Sequence, residues 1–360
     1  MQRIEHHSPR KPKSHRLLKI LLLVMVILGI GVGAYAGKIY LTAHSAMNKS
    51  FRGNTDKNAD KRIKDKDNLS ILILGVDTGE EGRIDRGNSD TIIVAALNPN
   101  QKKMQMVSIP RDTAAQIIGP KNFKMTKINS AYNIGGSTMA KKTVSELLNI
   151  PINYYVTLDM KGLEKVVDAV GGIDVNVPFT FTSEATGGQT FNKGKRHLNG
   201  NMALAYARMR HEDAEGDYGR QKRQQQVIKA ILQKSMSFSG FQNFSSLLDS
   251  LSDSLVTDIN FDNMVGLFNN YRVVINNVES DTLKGQTAWV QTADYNFPLS
   301  FQIISQKELQ RLSDKLRSTL NLDSEPINNA ETKENALNPD FKFGVDYDQN
   351  YLIKNLDEEN

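Results

Sequence analysis

Leu69-Ser-Ile-Leu-Ile-Leu-Gly-Val76 is a short apolar run that begins abruptly after a polar stretch, and it reads as a buried strand. Residues 91–97 (Thr-Ile-Ile-Val-Ala-Ala-Leu) and 104–109 read the same way, with Asn98-Pro-Asn-Gln101 as the turn between them. Residues 137–149 have helical spacing, with Ser137 as the expected N-cap. Residues 159–170 form a second helix that Asp159 can cap and that Gly171-Gly172 closes. Residues 153–158, 173–177 and 287–291 are further strands. Residues 199–207, 218–235, 241–275 and 307–320 are further helical stretches. Strands alternating with helices predict an α/β sandwich.

Upstream of this region, residues 40–68 are polar and charge-mixed without periodicity (Asn54-Thr-Asp-Lys-Asn-Ala-Asp-Lys-Arg62), which predicts a stalk or linker. Residues 20–37 carry no charge and approach the roughly 20 residues that span a bilayer. A transmembrane helix is expected over residues 20–39. Residues 1–19 contain Arg3, Arg10, Lys11, Lys13, Arg16 and Lys19 against Glu5, so this tail alone accounts for the chain's net charge of +5. Positive charge before the only apolar span places the N-terminus in the cytoplasm and the remainder outside the cell membrane. Ala34-Tyr-Ala36 resembles a signal-peptidase site, so a cleaved signal is the competing reading, and both export residues 40–360. Because the charge sits in the tail, the basic isoelectric point is no argument for nucleic-acid binding. Residues 322–360, acidic and rich in Asn and Asp, predict a flexible tail, which leaves 69–321 as the folded domain.

The chain has no cysteine, which excludes a disulfide scaffold, a thiol nucleophile and a thiolate metal site. His197 and His211 lack a second nitrogen ligand at metal spacing. There is no Gly-x-Ser-x-Gly elbow and no P-loop. The chemistry lies instead in arginines. Arg208 and Arg210 close the run Ala-Leu-Ala-Tyr-Ala-Arg-Met-Arg, and Asp217, Arg220, Arg223 and Gln224 follow. Arg111 sits far upstream in Ser-Ile-Pro-Arg-Asp112, at a strand end. Guanidinium groups at this density suit an anion with several oxygens, such as a pyrophosphate. On a helix, Arg220, Arg223 and Gln224 would share one face. Arg208 and Arg210 face the same way only if the helix ends before them and the chain runs extended. The alternative is a solvated, charge-rich helix.

Asp77 follows the first strand and Asp90 precedes the second. If those strands are neighbours, both carboxylates reach one end of the sheet, where they suit Mg²⁺ beside a pyrophosphate. Asp-Thr-Gly and Asn-Ser-Asp are also ordinary turn sequences, so turn chemistry is the other reading. Arg83 and Arg86 lie between the two in a Gly-rich loop, placed either to fold over an anion or to be exposed.

The ordered stretches Ile-Leu-Ile-Leu-Gly-Val-Asp77, Asn-Ser-Asp90-Thr, Val-Ser-Ile-Pro-Arg111-Asp112, Lys127-Ile-Asn-Ser-Ala-Tyr132 with Gly135-Gly136, Val167-Asp-Ala-Val-Gly-Gly-Ile-Asp174-Val, Leu198–Arg210 and Asp217–Gln225 resemble the LytR-CpsA-Psr proteins of Gram-positive envelopes. The resemblance is strong over residues 69–235 and weaker to about 320. It implies an α/β/α sandwich with a central mixed sheet and an apolar cavity for a polyprenyl tail, which the apolar strands and helix 138–149 could line. It implies transfer of an anionic glycopolymer (teichoic acid or capsular polysaccharide) from undecaprenyl pyrophosphate to peptidoglycan through a phosphodiester. By the same resemblance Asp77 and Asp90 hold Mg²⁺, Arg111, Arg208, Arg210 and Arg220 bind the pyrophosphate, Gln224 is their polar partner and Asp217 a further acidic site residue. Many members carry an arginine where this chain has Asn88, so Arg83 or Arg86 is the candidate substitute, and Arg223 joins the substrate-binding set. A polyprenyl-pyrophosphate hydrolase and a non-catalytic transcriptional attenuator are the alternatives. Topology argues against direct DNA contact.

Overall fold

The computed structural model describes residues 57–77, 87–122, 124–184, 188–210, 212–235, 253–290 and 297–343, together with 41, 44, 45, 50–52 and 251. In chain order its elements are α1 (Lys57–Lys64), β1 (Leu69–Val76), β2 (Ser89–Asn98), β3 (Lys103–Ser108), β4 (Ala114–Gln116), β5 (Met125–Lys127), α2 (Ser130–Leu148), β6 (Tyr154–Asp159) and α3 (Met160–Ala169). There follow β7 (Ile173–Val177), β8 (Phe181–Ser183), β9 (Gln189–Phe191), β10 (Gly194–Leu198), α4 (Gly200–Arg208), α5 (Asp217–Ser235), β11 (Leu255–Thr257) and α6 (Phe261–Tyr271). After a 3₁₀ turn at Arg272–Asn276 come β12 (Val278–Thr282), β13 (Gln286–Val290), β14 (Leu299–Ile303), α7 (Gln306–Leu320) and α8 (Ala330–Ala336).

A six-stranded sheet in the order β11-β6-β1-β2-β3-β12 is the frame. It is mixed: β1 pairs parallel with β6 and antiparallel with β2, and β12 runs parallel to β3. The near-continuous apolar run of β1 fits a strand buried on both faces. Its pleat sends Leu72, Leu74 and Val76 into a core shared with α2 and α7. Leu69, Ile71 and Ile73 point to the other face, among α1, α6 and the apolar residues Ile228 and Leu232 of α5. A third cluster joins α3, α4 and α5 to the β7–β10 ribbon. Helices therefore cover both faces of a mixed sheet, as the resemblance implies.

Local signals explain several boundaries. The Asp159 carboxylate accepts from the Gly162 N–H at 2.7 Å, and Asn199 caps α4 through the Met202 N–H at 3.0 Å. Ser137, expected as an N-cap, lies inside α2, which starts at Ser130 and kinks at Gly136 (φ 70°). Its hydroxyl pairs with Thr157 of β6 at 2.8 Å.

Other expectations are corrected. The linker contains α1, and Ile63 is buried where α1 meets α6. The stretch 241–275 holds β11 as well as α6, with residues 241–250 outside the described set. The tail is folded as far as residue 343: Ile327 enters the α2/α7 core, and α8 carries a capping box between Asn329 and Thr332. Among the described residues no helix is long and apolar enough to cross a membrane, and the expected span at 20–39 lies outside them. So do the tail beyond 343 and the loop bearing Arg83 and Arg86.

If the segment after α7 is part of the core, Ile327→Ala should cost about 2–5 kcal/mol, the usual range for a buried isoleucine. Urea denaturation should show a lower midpoint with an unchanged slope. A midpoint equal to the parent's would return this segment to the status of a loose tail.

Candidate functional site

The antiparallel pairing of β1 and β2 puts the end of one beside the start of the other. Val76 faces Ser89 across a bulge, so Asp77 and Asp90 lie at one end of the sheet. Gly87 explains how the returning loop closes on Asp77. Its φ of +65° lies in the left-handed region, and a Cβ there would sit 2.5 Å from the Asp77 Oδ1. Asn133 donates to the Gly87 carbonyl at 3.1 Å and holds that approach in place.

Arg111 leaves β3 after Pro110 and meets the same corner, donating from Nη1 to Asp90 Oδ1 at 2.7 Å. Burial works against its charge, but Asp90, with help from Asp112, raises its pKa above the usual guanidinium value. Lys127 of β5 pairs with Asp112 at 2.7 Å and so steadies the Arg111-Asp112 step.

On the other side of the cavity, α4 ends at Arg208, and Met209 is extended (φ −55°, ψ 134°). Alternation then buries Met209 and leaves Arg208 and Arg210 exposed on the cavity side. This is the geometry that the i, i+2 spacing required. Arg220, one turn into α5, is buried and forms an ion pair with Asp217, which also accepts from the Gln221 amide at 2.8 Å. Burial lowers the Arg220 pKa despite the attraction of Asp217, and repulsion from Arg111 and Arg210 adds to the fall. Its Nε is buried with no hydrogen-bond partner.

Several of these groups line a cavity of about 340 Å³, and Arg111 stands behind Asp90 rather than in the lining. Asp77, Asp90, Arg208, Arg210, Arg220 and Gln224 form its polar end. Ile73, Leu158, Leu163, Leu204, Val227 and Ile228 form apolar walls. An apolar chamber with a few convergent polar groups is the usual form of a small-molecule site. The walls correct the expected placement. The 92–97 stretch and helix 138–149 were expected to line the cavity, yet Ile92, Val94 and Ala96 and the buried apolar residues of α2 pack in the filled core on the opposite face. The chamber lies between β1, β6 and the helices α3, α4 and α5.

Arg223 is also corrected. It does not share the cavity face of Arg220 and Gln224. Its side chain is buried against Asp213, with which it forms an ion pair, and it donates to the carbonyl oxygens of Tyr206 (3.1 Å) and Met209. The Glu215 N–H and this guanidinium hold Asp213 below the ordinary carboxylate range although burial opposes it. Three residues along a helix turn a side chain by about 300°, enough to pass from one flank of a face to another environment. Asp213, Lys127, Asn133 and Gly87 were not singled out from sequence as site-building residues. The proximity of Asp213 to the arginine run was the only local signal for the first.

Among the described residues no group of three or more His, Asp or Glu could hold a metal ion. Asp77 and Asp90 are the pair available, and Gly87 leaves just enough room for the Asp77 oxygen.

Residues 35–318 match the LytR_cpsA_psr family model. The chain is 39% identical over 310 residues to the polyisoprenyl-teichoic acid–peptidoglycan teichoic acid transferase TagU of Enterococcus faecalis, covering 86% of this chain and 99% of that one. Among solved structures, Bacillus subtilis TagV superimposes with a TM-score of 0.62 at 34% identity, over 72% of this chain and 99% of TagV. TagT bound to LI-WTA superimposes with a TM-score of 0.60 at 28% identity, over 72% and 92% of the two chains.

The different placements of the arginines have a measurable consequence. Arg223→Ala should destabilise the fold by about 3–5 kcal/mol, because Asp213 would be left charged and buried. Arg208→Ala, at an exposed position, should stay within about 1 kcal/mol of the parent. Equal thermal denaturation midpoints for the two variants would remove the structural role given to Arg223.

Proposed function

The chain belongs to the LytR_cpsA_psr family, and on that premise we propose that it transfers a teichoic-acid-type anionic glycopolymer from a polyprenyl pyrophosphate to peptidoglycan. The observation that carries this reading is the two-part cavity, apolar in its depth and lined by arginines at its polar end. A polyprenyl pyrophosphate has the same two parts. The cavity has room for the first isoprene units, and the remaining lipid stays in the bilayer. Membrane anchoring by residues 20–39, with the folded domain outside the cell, suits such a substrate and belongs to the same proposal.

Arg208, Arg210 and Arg220 bind the pyrophosphate oxygens, with Gln224 as a neutral donor beside them. Arg111 reaches the same charge from the Asp90 side. An acceptor hydroxyl on peptidoglycan attacks the phosphorus next to the polymer. A new P–O bond forms, the bond to the bridging oxygen breaks, and its electron pair leaves on undecaprenyl phosphate. The hydroxyl proton passes to a carboxylate at the polar end. Charge accumulates on the bridging and equatorial oxygens, and preorganised guanidinium groups stabilise it there. Asp77 and Asp90 would hold Mg²⁺, which takes one or two carboxylates with water and phosphate oxygens and supplies further charge neutralisation when bound.

The test is reconstitution with a synthetic polyprenyl-pyrophosphate-linked teichoic acid precursor and a peptidoglycan oligomer, followed by mass spectrometry. Polymer joined to the oligomer through a phosphodiester is the expected product. Polymer phosphate released into water at the same rate with and without acceptor would identify a hydrolase. No turnover at all would favour the non-catalytic regulator. Arg111→Ala should lower kcat by about 10²–10³, the range for losing one preorganised donor to transition-state charge. Asp77→Asn should lower activity and shift the magnesium requirement upward. Full activity of the parent in excess chelator would assign Asp77 and Asp90 to turn geometry and the Arg111 ion pair.

A further inference from the structure

The two-stranded ribbon of β13 and β14 has one buried and one open face. Ala288, Val290, Phe301 and Ile303 point into an apolar cluster with β4 and β5. The opposite face carries Trp289, the chain's only tryptophan, which is 51% exposed. Its neighbours on that face are neutral and hydrogen-bonding. Ser300 lies directly across from it, and Thr287 lies across from Gln302, whose amide donates to the Thr287 hydroxyl at 2.7 Å.

This ribbon is tied to the polar end of the cavity at two points. The Gln302 N–H donates to the carbonyl of Asp112, next to Arg111, at 2.8 Å. The Tyr218 hydroxyl, one residue after Asp217, donates to Gln302 Oε1 at 3.1 Å and accepts from the Gly285 N–H at 3.0 Å. Position along α5 orders the site. Val227 and Ile228 border the apolar chamber, Arg220 and Gln224 border the polar end, and Tyr218 lies farther back toward the helix start. At about 1.5 Å per residue, the ribbon's anchor is roughly 10–15 Å from the lipid walls, on the far side of the phosphate-binding arginines.

We infer that the open face of the β13–β14 ribbon binds the acceptor glycan, with Trp289 as the platform for a sugar ring. An indole presents a flat apolar face and a polar N–H at low conformational cost, which suits the apolar face and hydroxyl rim of a pyranose. Thr287, Ser300 and Gln302 supply hydroxyl and amide groups to sugar hydroxyls. The absence of Lys and Arg from this set fits an uncharged glycan better than the anionic polymer of the donor or an anionic membrane surface. The inference rests on the transfer reading only for the identity of the glycan as the acceptor.

Because Trp289 is the sole tryptophan, the emission of the full chain reports on this position alone. Titration with chitotetraose, a soluble β-1,4-linked N-acetylglucosamine oligomer, should change that emission saturably, and Thr287→Ala should weaken the affinity. In the transfer assay Trp289→Ala should raise the KM for the peptidoglycan oligomer about tenfold or more, the scale for truncating a buried tryptophan anchor. The KM for the lipid-linked donor should stay within about twofold, and Trp289→Phe should recover most of the loss. Emission indifferent to chitotetraose overturns the inference. So does a blue shift produced only by anionic phosphatidylglycerol vesicles, or a rise confined to the donor KM. Emission that responds to the saccharide while the parent transfers no polymer would leave the glycan site standing and reject the transfer reading.

Discussion

The buried guanidinium of Arg223 is the constraint on which the arginine site depends. Helix α4 stops at Arg208, and its last carbonyl groups have no partner within the helix. Arg223 reaches across from α5 to the carbonyls of Tyr206 and Met209 and forms an ion pair with Asp213 in the connecting loop. One side chain therefore terminates α4, fixes the extended Met209 step and ties both to the helix carrying Arg220. Arg208 and Arg210 are aimed by that termination, because a further helical turn would separate them by about 200°. Gly219 reinforces the junction. Any Cβ there would collide with the Asp213 carboxylate at 1.9 Å, so α5 can approach the loop only with glycine at this position.

Arg208, Arg210 and Arg220 at the polar end, with Arg111 beside it, are gathered among only a few carboxylates, an arrangement that like-charge repulsion opposes. Arg111, half-buried, and Arg220, buried, are held by specific partners. Asp90 takes one hydrogen bond from Arg111 and Asp217 pairs with Arg220, while a guanidinium has five N–H donors. Each pair thus leaves donors for a ligand while reducing the cost of keeping a cation out of water. The lowered pKa of Arg220 records the remaining imbalance: burial and the neighbouring arginines outweigh Asp217. The pyrophosphate of the proposed donor would relieve it. The second ion-pair step, Lys127 to Asp112, acts at a distance by fixing the backbone from which Arg111 departs.

Much of this was legible in the sequence where a single periodicity or cap decided the outcome. The apolar run of β1, the strands of 91–97 and 173–177, and the cap at Asp159 are local facts that the fold preserves. The placement of Asp77 beside Asp90 depended on one pairing, which the β1–β2 register supplies. The failures have long-range causes. Helix α1 offers one apolar anchor, Ile63, within a charged octet, so its burial depends on α6, about 200 residues later. The segment after α7 looked solvent-like by composition, yet Ile327 and the buried Asn329 cap dock on α2, where Asn329 donates to the carbonyls of Glu146 and Leu147. Arg223 was grouped with Arg220 because i, i+3 neighbours share a helix surface, whereas the cavity edge falls between them. Which face of the sheet stays open was not readable, because β1 is apolar on both.

The organisation along α5 gives the site a direction. Its apolar turns border the apolar chamber, its first buried arginine stands at the polar end of the cavity, and Tyr218 fastens the ribbon that presents Trp289. A single rigid helix thus sets the spacing of three chemically unlike regions. Rigidity matters because in-line displacement at phosphorus needs the entering hydroxyl and the leaving oxygen on opposite sides of the reacting centre. If the lipid of the proposed donor fixes the leaving group on one side of Arg220, the acceptor has to arrive from the other. The ribbon is fastened at Asp112 and Tyr218, the immediate neighbours of Arg111 and Asp217. A shift of the ribbon would therefore move Arg111 and Asp217 with it, and the proposed donor and acceptor sites share one frame rather than independently moving loops.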